Sequence, residues 1–246
     1  MTNTGKLYVV GIGPGAYEDM TIRAANALKE SQVIVGYTVY VALVREYFPQ
    51  AEILSTPMRQ EKERCLMAID EARKGKTVSM VCSGDSGVYG MSGLILEMAR
   101  PYGDLEIEII PGVTAALGGG ANLGAPLGHD FAVISLSDLL TPMELIEERL
   151  RDCARADMIL CLYNPSSKKR ADYLKRACEI VMEYKSPETV CGFAKNTGRT
   201  GEETVVLTLA ELRDTRADMF TTVFIGNSST EVINGRMVTP RGYKNV

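Results

Sequence analysis

The sequence is poor in residues that hold metal ions. Its 246 residues include one histidine, His129, and no tryptophan. Six cysteines are present, but no two of them form a C-x-x-C pair, so zinc and iron–sulfur sites have few possible ligands. The cysteines mostly fall in apolar strand or helix patterns, which is typical of buried thiols in a reducing compartment, and His129 precedes a predicted strand, which favours a structural role. We therefore expect no metal site.

The chain also lacks a basic excess and long apolar runs. A net charge of −4 argues against a general nucleic-acid or anionic-membrane binder, because such proteins need a basic face. No apolar run approaches the length that spans a bilayer, and the first residues show no signal-peptide pattern. We expect neither nucleic acid nor a membrane as a partner.

Strand-like and helix-like runs alternate along the first half of the chain, which predicts an α/β fold with a mainly parallel sheet. The glycine-rich stretch 113–128 suggests a boundary between two α/β domains, 1–118 and 119–246. The second half mixes strand–helix units with an Asn234-Gly235 hairpin signal, so its sheet should be mixed. A helix after Pro142 should begin with a capping box made by Thr141 and Glu144.

The segment "GIGPGA" (11–16) nominally satisfies a dinucleotide fingerprint. Pro14, however, has no N–H to offer a phosphate, and Gly36 and Tyr37 stand where a ribose-binding acid is expected. A nicotinamide-dependent oxidoreductase is therefore only a distant alternative.

Polar loops follow most predicted strands, and in open α/β sheets ligands bind beyond the carboxyl ends of the strands. These loops are rich in Gly, Ser, Thr and Asn, which suit a neutral or cationic cofactor better than a polyphosphate. Their sequences are "GIGPG", "SGDSGVYG", "PGVTAA", "SLSD", "LYNPSSKKR", "FAKNTGR" and "FIGNSST".

Together these motifs resemble the tetrapyrrole methylases, the S-adenosylmethionine-dependent enzymes of corrinoid and sirohaem synthesis. "GIGPG", "SGDSGVYG" and "PGVTAALGGGANLGAPLG" are family-wide elements. "SLSDLLTP", "YNPSSKKR", "KNTGRTGEE", "FIGNSST" and "MVTPRGY" resemble a narrower branch, which methylates C17 of precorrin-3B or cobalt-precorrin-3 and contracts the ring in cobalamin synthesis. One departure is Met143, which stands where the family has tryptophan.

The resemblance implies a cofactor cleft between two domains, S-adenosyl-L-methionine as cofactor with S-adenosyl-L-homocysteine as product, a tetrapyrrole substrate, a homodimer and a cytoplasmic location. Carried over by position, the cofactor contacts are Pro14, Gly84, Asp85, Val88, Thr114, Ala115, Tyr163, Asn164, Asn196 and Thr197.

The substrate's acetate and propionate groups call for cationic clamps. The candidates in or near motif loops are Arg59, Arg64, Lys168, Lys169, Arg170, Arg199 and Arg241. For the proton movements of ring contraction the candidates are Ser135, Ser137, Asp138 and Lys195.

Three alternatives stay open besides the oxidoreductase. The protein could methylate another precorrin position, or act on a non-tetrapyrrole substrate, or bind a ligand without turnover. The residues also leave open whether the tetrapyrrole carries cobalt or is metal-free.

Overall fold

The computed structural model describes residues 5–167 and 171–243. The chain divides into two units, Met1–Ala115 and Ala116–Val246. The sequence placed this boundary a little later, between residues 118 and 119. None of the helices in the described ranges is long and apolar enough to cross a membrane.

The first unit is built on five parallel strands in the order β3-β2-β4-β1-β5, as the alternating pattern predicts. One face of the sheet packs on α3 and α4 and the other on α1 and α2, so the central strands are buried on both sides. The elements are β1 Lys6–Gly11, α1 Ile22–Glu30, β2 Val33–Tyr37, α2 Thr38–Val44, β3 Glu52–Thr56, α3 Glu61–Arg73, β4 Thr77–Cys82, α4 Ser92–Ala99 and β5 Glu106–Ile110.

The second unit has a five-stranded mixed sheet in the order β10-β9-β11-β8-β7 and a three-stranded sheet in the order β12-β13-β6. Helices α6, α7 and α8 cover one face of the larger sheet, and α5 packs on the other. The elements are α5 Ala115–Leu123, β6 Gly124–Ala125, β7 Phe131–Ser135, α6 Met143–Arg155, β8 Ile159–Tyr163, α7 Tyr173–Val181, β9 Val190–Lys195, β10 Glu203–Thr208, α8 Leu209–Arg213, β11 Thr221–Ile225, β12 Glu231–Ile233 and β13 Arg236–Val238.

Strand direction in the larger sheet corrects one expectation. Strand β7 is parallel to β8, whereas β11 is antiparallel to both β8 and β9. Strands β7, β8 and β9 therefore end at one edge, and β11 ends at the opposite edge. The prediction that "FIGNSST", which follows β11, joins the other polar loops is wrong.

The glycine-rich stretch forms helix α5, which lies close against the sheet. A Cβ on Gly119 would stand 2.9 Å from Ala194 Cβ and 3.2 Å from the Phe224 ring. Glycine is required at this position because the helix and the sheet approach too closely for a side chain.

Two local predictions had different outcomes. The Asn234-Gly235 hairpin is confirmed, since these residues have φ of 51° and 76° and join β12 to β13. The capping box at Thr141 is wrong, because α6 begins at Met143 and its N-cap is Pro142, which offers no side-chain cap. A capping box is present at the start of α8, where it joins Thr208 and Glu211.

Candidate functional site

In the first unit, the loops after β1 and β4 pair through their glycines. The Gly13 N–H donates to the Gly84 carbonyl at 3.1 Å, and the Gly84 N–H donates to the Gly13 carbonyl at 2.7 Å. Both residues have positive φ, 73° and 70°, which glycine adopts without strain. The pairing orders the chain on either side of this bridge, where Pro14 and Asp85 lie.

A third glycine, Gly112 after β5, packs against the backbone of the same two loops. A Cβ on Gly112 would stand 2.2 Å from the Gly84 carbonyl oxygen and 2.6 Å from the Gly11 carbonyl carbon. The glycines of "GIGPG" thus allow three backbone segments to touch.

Asp85 ties the β4 loop to the β5 loop. Its Oδ1 accepts from the backbone N–H groups of Gly87 at 2.8 Å and Val88 at 3.0 Å, and its Oδ2 accepts from Gly112 N–H at 2.9 Å. The buried Ser86 hydroxyl beside it donates to the Ile110 carbonyl at 3.0 Å. These bonds shape the loops that carry Val88, Thr114 and Ala115.

The two arginines after β3 differ in their surroundings. Arg64 is only 4% exposed and donates to Thr56 Oγ1 at 3.0 Å and to the Pro57 carbonyl at 3.1 Å. It holds its own loop in place, and its role as a substrate clamp stays a prediction. Arg59 is exposed, with φ of 71°.

In the second unit, the ends of β7 and β8 are joined side by side. The Asn164 Nδ2 donates to Ser135 Oγ at 3.0 Å, and the Ser137 N–H donates to the same oxygen at 3.2 Å. Tyr163 Oη accepts the Ala116 N–H at 2.7 Å, in the first turn of α5. The structure therefore brings Ser135, Ser137, Tyr163 and Asn164 together.

Asp138 directly follows Ser137 and is exposed. Its Oδ2 accepts the Tyr173 hydroxyl at 2.8 Å, from the first residue of α7. The candidate clamps Lys168, Lys169 and Arg170 lie outside the described residues.

The end of β9 adds a third loop at this edge. Asn196 has φ of 51°, and its Nδ2 donates to the Gly201 carbonyl at 3.3 Å. The Arg199 N–H donates to the Asn196 carbonyl at 2.8 Å, so Thr197 lies inside a tight turn.

Asp218 is a residue of this edge that sequence reasoning missed. Lys195 Nζ lies 3.1 Å from Asp218 Oδ2. Partial burial opposes ionisation of Asp218, but the Lys195 ammonium, the Phe220 N–H and the Thr221 hydroxyl outweigh burial and hold its pKa below the usual value. The sequence could have identified Asp218 only if the antiparallel direction of β11 relative to β9 had been predicted.

Arg241 lies in a segment anchored at the opposite edge. The Thr239 N–H donates to the Ala125 carbonyl at 3.0 Å, and His129 Nε2 is 2.9 Å from the Pro240 carbonyl, just before β7 begins. The structure therefore does not bring Arg241 to the ends of β7, β8 and β9, and His129 has the structural contact that its position favours.

The cysteines are mostly inert. Five of the six thiols are buried, and Cys153 is partly exposed. Burial raises the pKa of Cys161 and Cys178 to about 12. Within the described residues, no group of three or more His, Cys, Asp or Glu side chains is placed to hold a metal ion.

The comparison by sequence and the comparison by structure both match this chain to methylating enzymes. The family model described as Tetrapyrrole (Corrin/Porphyrin) Methylases matches residues 6–213. A solved structure of the methyltransferase CobJ covers 96% of this chain and 100% of its own, with 38% identity and a TM-score of 0.88.

Three curated relatives span nearly the whole chain. A probable cobalt-factor III C(17)-methyltransferase of Salmonella typhimurium is 43% identical over 96% of this chain and 99% of its own length. A cobalt-factor III methyltransferase of Priestia megaterium is 43% identical over 98% of this chain, which spans only 45% of that longer protein. A precorrin-3B C(17)-methyltransferase of Sinorhizobium sp is 39% identical over 98% of both.

Proposed function

The chain belongs to the tetrapyrrole (corrin/porphyrin) methylase family, and on that basis we propose that it transfers a methyl group from S-adenosylmethionine to C17 of a precorrin-3-type tetrapyrrole, with ring contraction, in cobalamin biosynthesis. The observation that carries the proposal is the 43% identity to the Salmonella relative over 96% of this chain and 99% of that one. Two relatives at 43% identity carry the cobalt name and the precorrin-3B relative is at 39%, which favours the cobalt-containing substrate.

Positioning is what the methyl transfer chiefly requires. The sulfonium is already a good leaving group and the macrocycle carbon is electron-rich, so the transfer is an in-line displacement. Holding two reactants in attack geometry supplies about 7–11 kcal/mol, against about 3–5 kcal/mol from a general base. The lack of a catalytic histidine pair is therefore consistent with this chemistry.

The residues of the first unit suit a cationic cofactor that is recognised by backbone. The loops after β1, β4 and β5 are fixed by the backbone bridge between Gly13 and Gly84 and by the three hydrogen bonds of Asp85. These bonds add no positive charge. In this unit we assign the cofactor contacts to Pro14, Gly84, Asp85, Val88, Thr114 and Ala115.

The loops of the second unit carry a separate set of assignments. The proposed cofactor contacts here are Tyr163, Asn164, Asn196 and Thr197, and the proposed proton-transfer residues are Ser135, Ser137 and Asp138. Arg59 in the first unit and Arg199 in the second are proposed substrate clamps, together with Lys168, Lys169 and Arg170.

We also propose that the protein is a homodimer. Sedimentation velocity tests this oligomeric state.

The first experiment is calorimetric binding of S-adenosylhomocysteine, with NADH as the control ligand. Binding of S-adenosylhomocysteine alone supports the cofactor, whereas binding of NADH alone overturns it. The second step is turnover with cobalt-factor III and, separately, precorrin-3B, using S-adenosylmethionine labelled with carbon-13 in its methyl group. A label at C17 supports the proposal, and a label at another ring position favours a different methylase of the family.

A further inference from the structure

The segment before β11 returns to the edge where β9 ends, because β11 runs antiparallel to β9. Thr221, the first residue of β11, pairs with Lys195, the last residue of β9. Asp218 lies just before this pair, and its Oδ2 is 3.1 Å from Lys195 Nζ. Asp218 is therefore placed by the topology of the sheet to meet Lys195.

The Asp218 carboxylate is itself anchored. Its Oδ1 accepts the Phe220 N–H at 2.9 Å and the Thr221 hydroxyl at 3.0 Å, and Thr221 is only 4% exposed. Most surface ion pairs join two mobile side chains and contribute little. Here one partner is held by two further hydrogen bonds, so the ammonium is directed by a rigid acceptor.

The same segment orients a second cation. The Arg199 guanidinium lies 5.9 Å from the centre of the Phe220 ring, a distance at which the ring attracts it. Lys195 and Arg199 are thus held at the edge of the sheet by neighbouring residues of one short segment.

We propose that Asp218 is a positioning residue, which holds the Lys195 ammonium so that Lys195 donates to a carboxylate of the tetrapyrrole substrate. An ammonium has three N–H donors, and Asp218 uses one of them. An ammonium has no lone pair with which to accept a proton, so this geometry makes Lys195 a substrate contact and removes it from the candidate bases. The inference rests on the proposed function, since it takes the substrate's acetate and propionate groups as the acceptors.

The test compares Asp218→Asn, Lys195→Met and the double variant. The asparagine keeps an Oδ1 acceptor for Phe220 and Thr221 but loses the ion pair. Asp214→Asn is the matched control, because exposed Asp214 pairs with Arg213 at 2.6 Å and contacts none of the proposed site residues that the structure describes. The readouts are KM for the tetrapyrrole, kcat and the Kd of S-adenosylhomocysteine.

We expect Asp218→Asn and Lys195→Met each to raise KM about tenfold, the effect of one lost charge-assisted hydrogen bond, with kcat and the cofactor Kd unchanged. The double variant should be no worse than Lys195→Met alone, because both changes break one arrangement. Asp218→Glu should recover part of the loss, and Asp214→Asn should behave as wild type.

An unchanged KM in Asp218→Asn, a fall in kcat at constant KM, or fully additive effects would overturn the inference while leaving the proposed function intact. Lys195→Met leaves the backbone bonds of Asp218 in place, so its KM still tests the inference if Asp218→Asn does not fold. A wild-type protein that neither binds S-adenosylhomocysteine nor methylates the tetrapyrrole would overturn the proposed function, and the inference with it.

Discussion

The carboxylate of Asp85 accepts the backbone N–H of Gly112 at 2.9 Å and so links the loop after β4 to the loop after β5. The resemblance to the methylases implies that Asp85 contacts the cofactor. The three backbone N–H groups at its oxygens show that Asp85 also stabilises its own turn and links it to a second loop. The part that we propose for Asp85 in cofactor binding should therefore include shaping both loops.

Replacing Asp85 with Asn should destabilise the protein. The amide nitrogen would face the N–H of Gly112, which the carboxylate accepts in the wild type. Because Gly112 is only half-buried, leaving this donor without an acceptor should cost about 1 kcal/mol, the lower end of the range for buried donors. Denaturant unfolding measures the change, with Asp70→Asn on the exposed side of α3 as the control. Equal stability of Asp85→Asn and wild type would show that the three bonds contribute nothing.

Replacing Tyr163 with Phe should loosen the first turn of α5. The phenol oxygen accepts the Ala116 N–H at 2.7 Å and so acts as a cap from outside the helix. Loss of a helix cap costs about 0.5–2 kcal/mol. Faster hydrogen exchange at the Ala116 amide reports the change, and Tyr184→Phe, at a tyrosine that is 45% exposed, is the control. Unchanged exchange would exclude the cap.

Two helical glycines should respond to alanine in opposite directions. Gly119→Ala puts a Cβ 2.9 Å from Ala194 Cβ, and overpacking of this kind costs about 1–3 kcal/mol. At Gly93, in α4, no atom beyond its chain neighbours and the backbone of its own helix lies within 4 Å of the added Cβ, so Gly93→Ala should stabilise by up to about 1 kcal/mol through helix propensity. Thermal unfolding of both variants checks the pair, and equal shifts would contradict the packing of α5.

The ion pair of Asp157 with Lys185 should make the free energy of unfolding depend on pH in the acid range. Partial burial opposes ionisation of Asp157, but hydrogen bonds from Lys185 and Ser228 outweigh it and lower the Asp157 pKa. A lowered carboxylate pKa stabilises the folded state above the unfolded pKa of about 4, and this contribution is lost as the pH falls through the lower native pKa. The pair should therefore stabilise fully at pH 7 and weaken in strong acid.

Asp157→Asn tests this pair. Breaking a fully buried pair costs about 3–5 kcal/mol, and because the Asp157 side chain is 45% exposed we expect about 1–2 kcal/mol at pH 7. The difference from wild type should shrink near pH 2.5, as measured by urea unfolding at the two pH values. Asp214→Asn, at an exposed pair, should show little change at either pH. A difference that is the same at both pH values would exclude the titration.

Much of the fold could be predicted because hydrophobic periodicity is a local property. The parallel first sheet follows from apolar strands separated by amphipathic helices, and the hairpin follows from Asn234-Gly235, whose positive φ values only a few residue types adopt. The start of α6 was predicted wrongly, because the N-cap is the residue at which the backbone leaves the helical conformation. In the structure that residue is Pro142 and not Thr141.

The site was only partly predictable for a related reason. Loops that follow parallel strands share an edge, so Asp85 and Thr114 in the first unit, and Asn164 and Asn196 in the second, were identified as strand-end residues. Motif position did not reveal that Arg64 is buried against Thr56, or that Arg241 follows a segment anchored beside His129.

The class of the protein can be read from consecutive residues, because strand and helix periods and the ordered motifs that mark the family are local features. Which residues meet is a property of the folded chain. An apolar strand has the same pattern whether it runs parallel or antiparallel, so the direction of β11, and with it the pairing of Asp218 with Lys195, is set by long-range hydrogen bonding that no local pattern encodes.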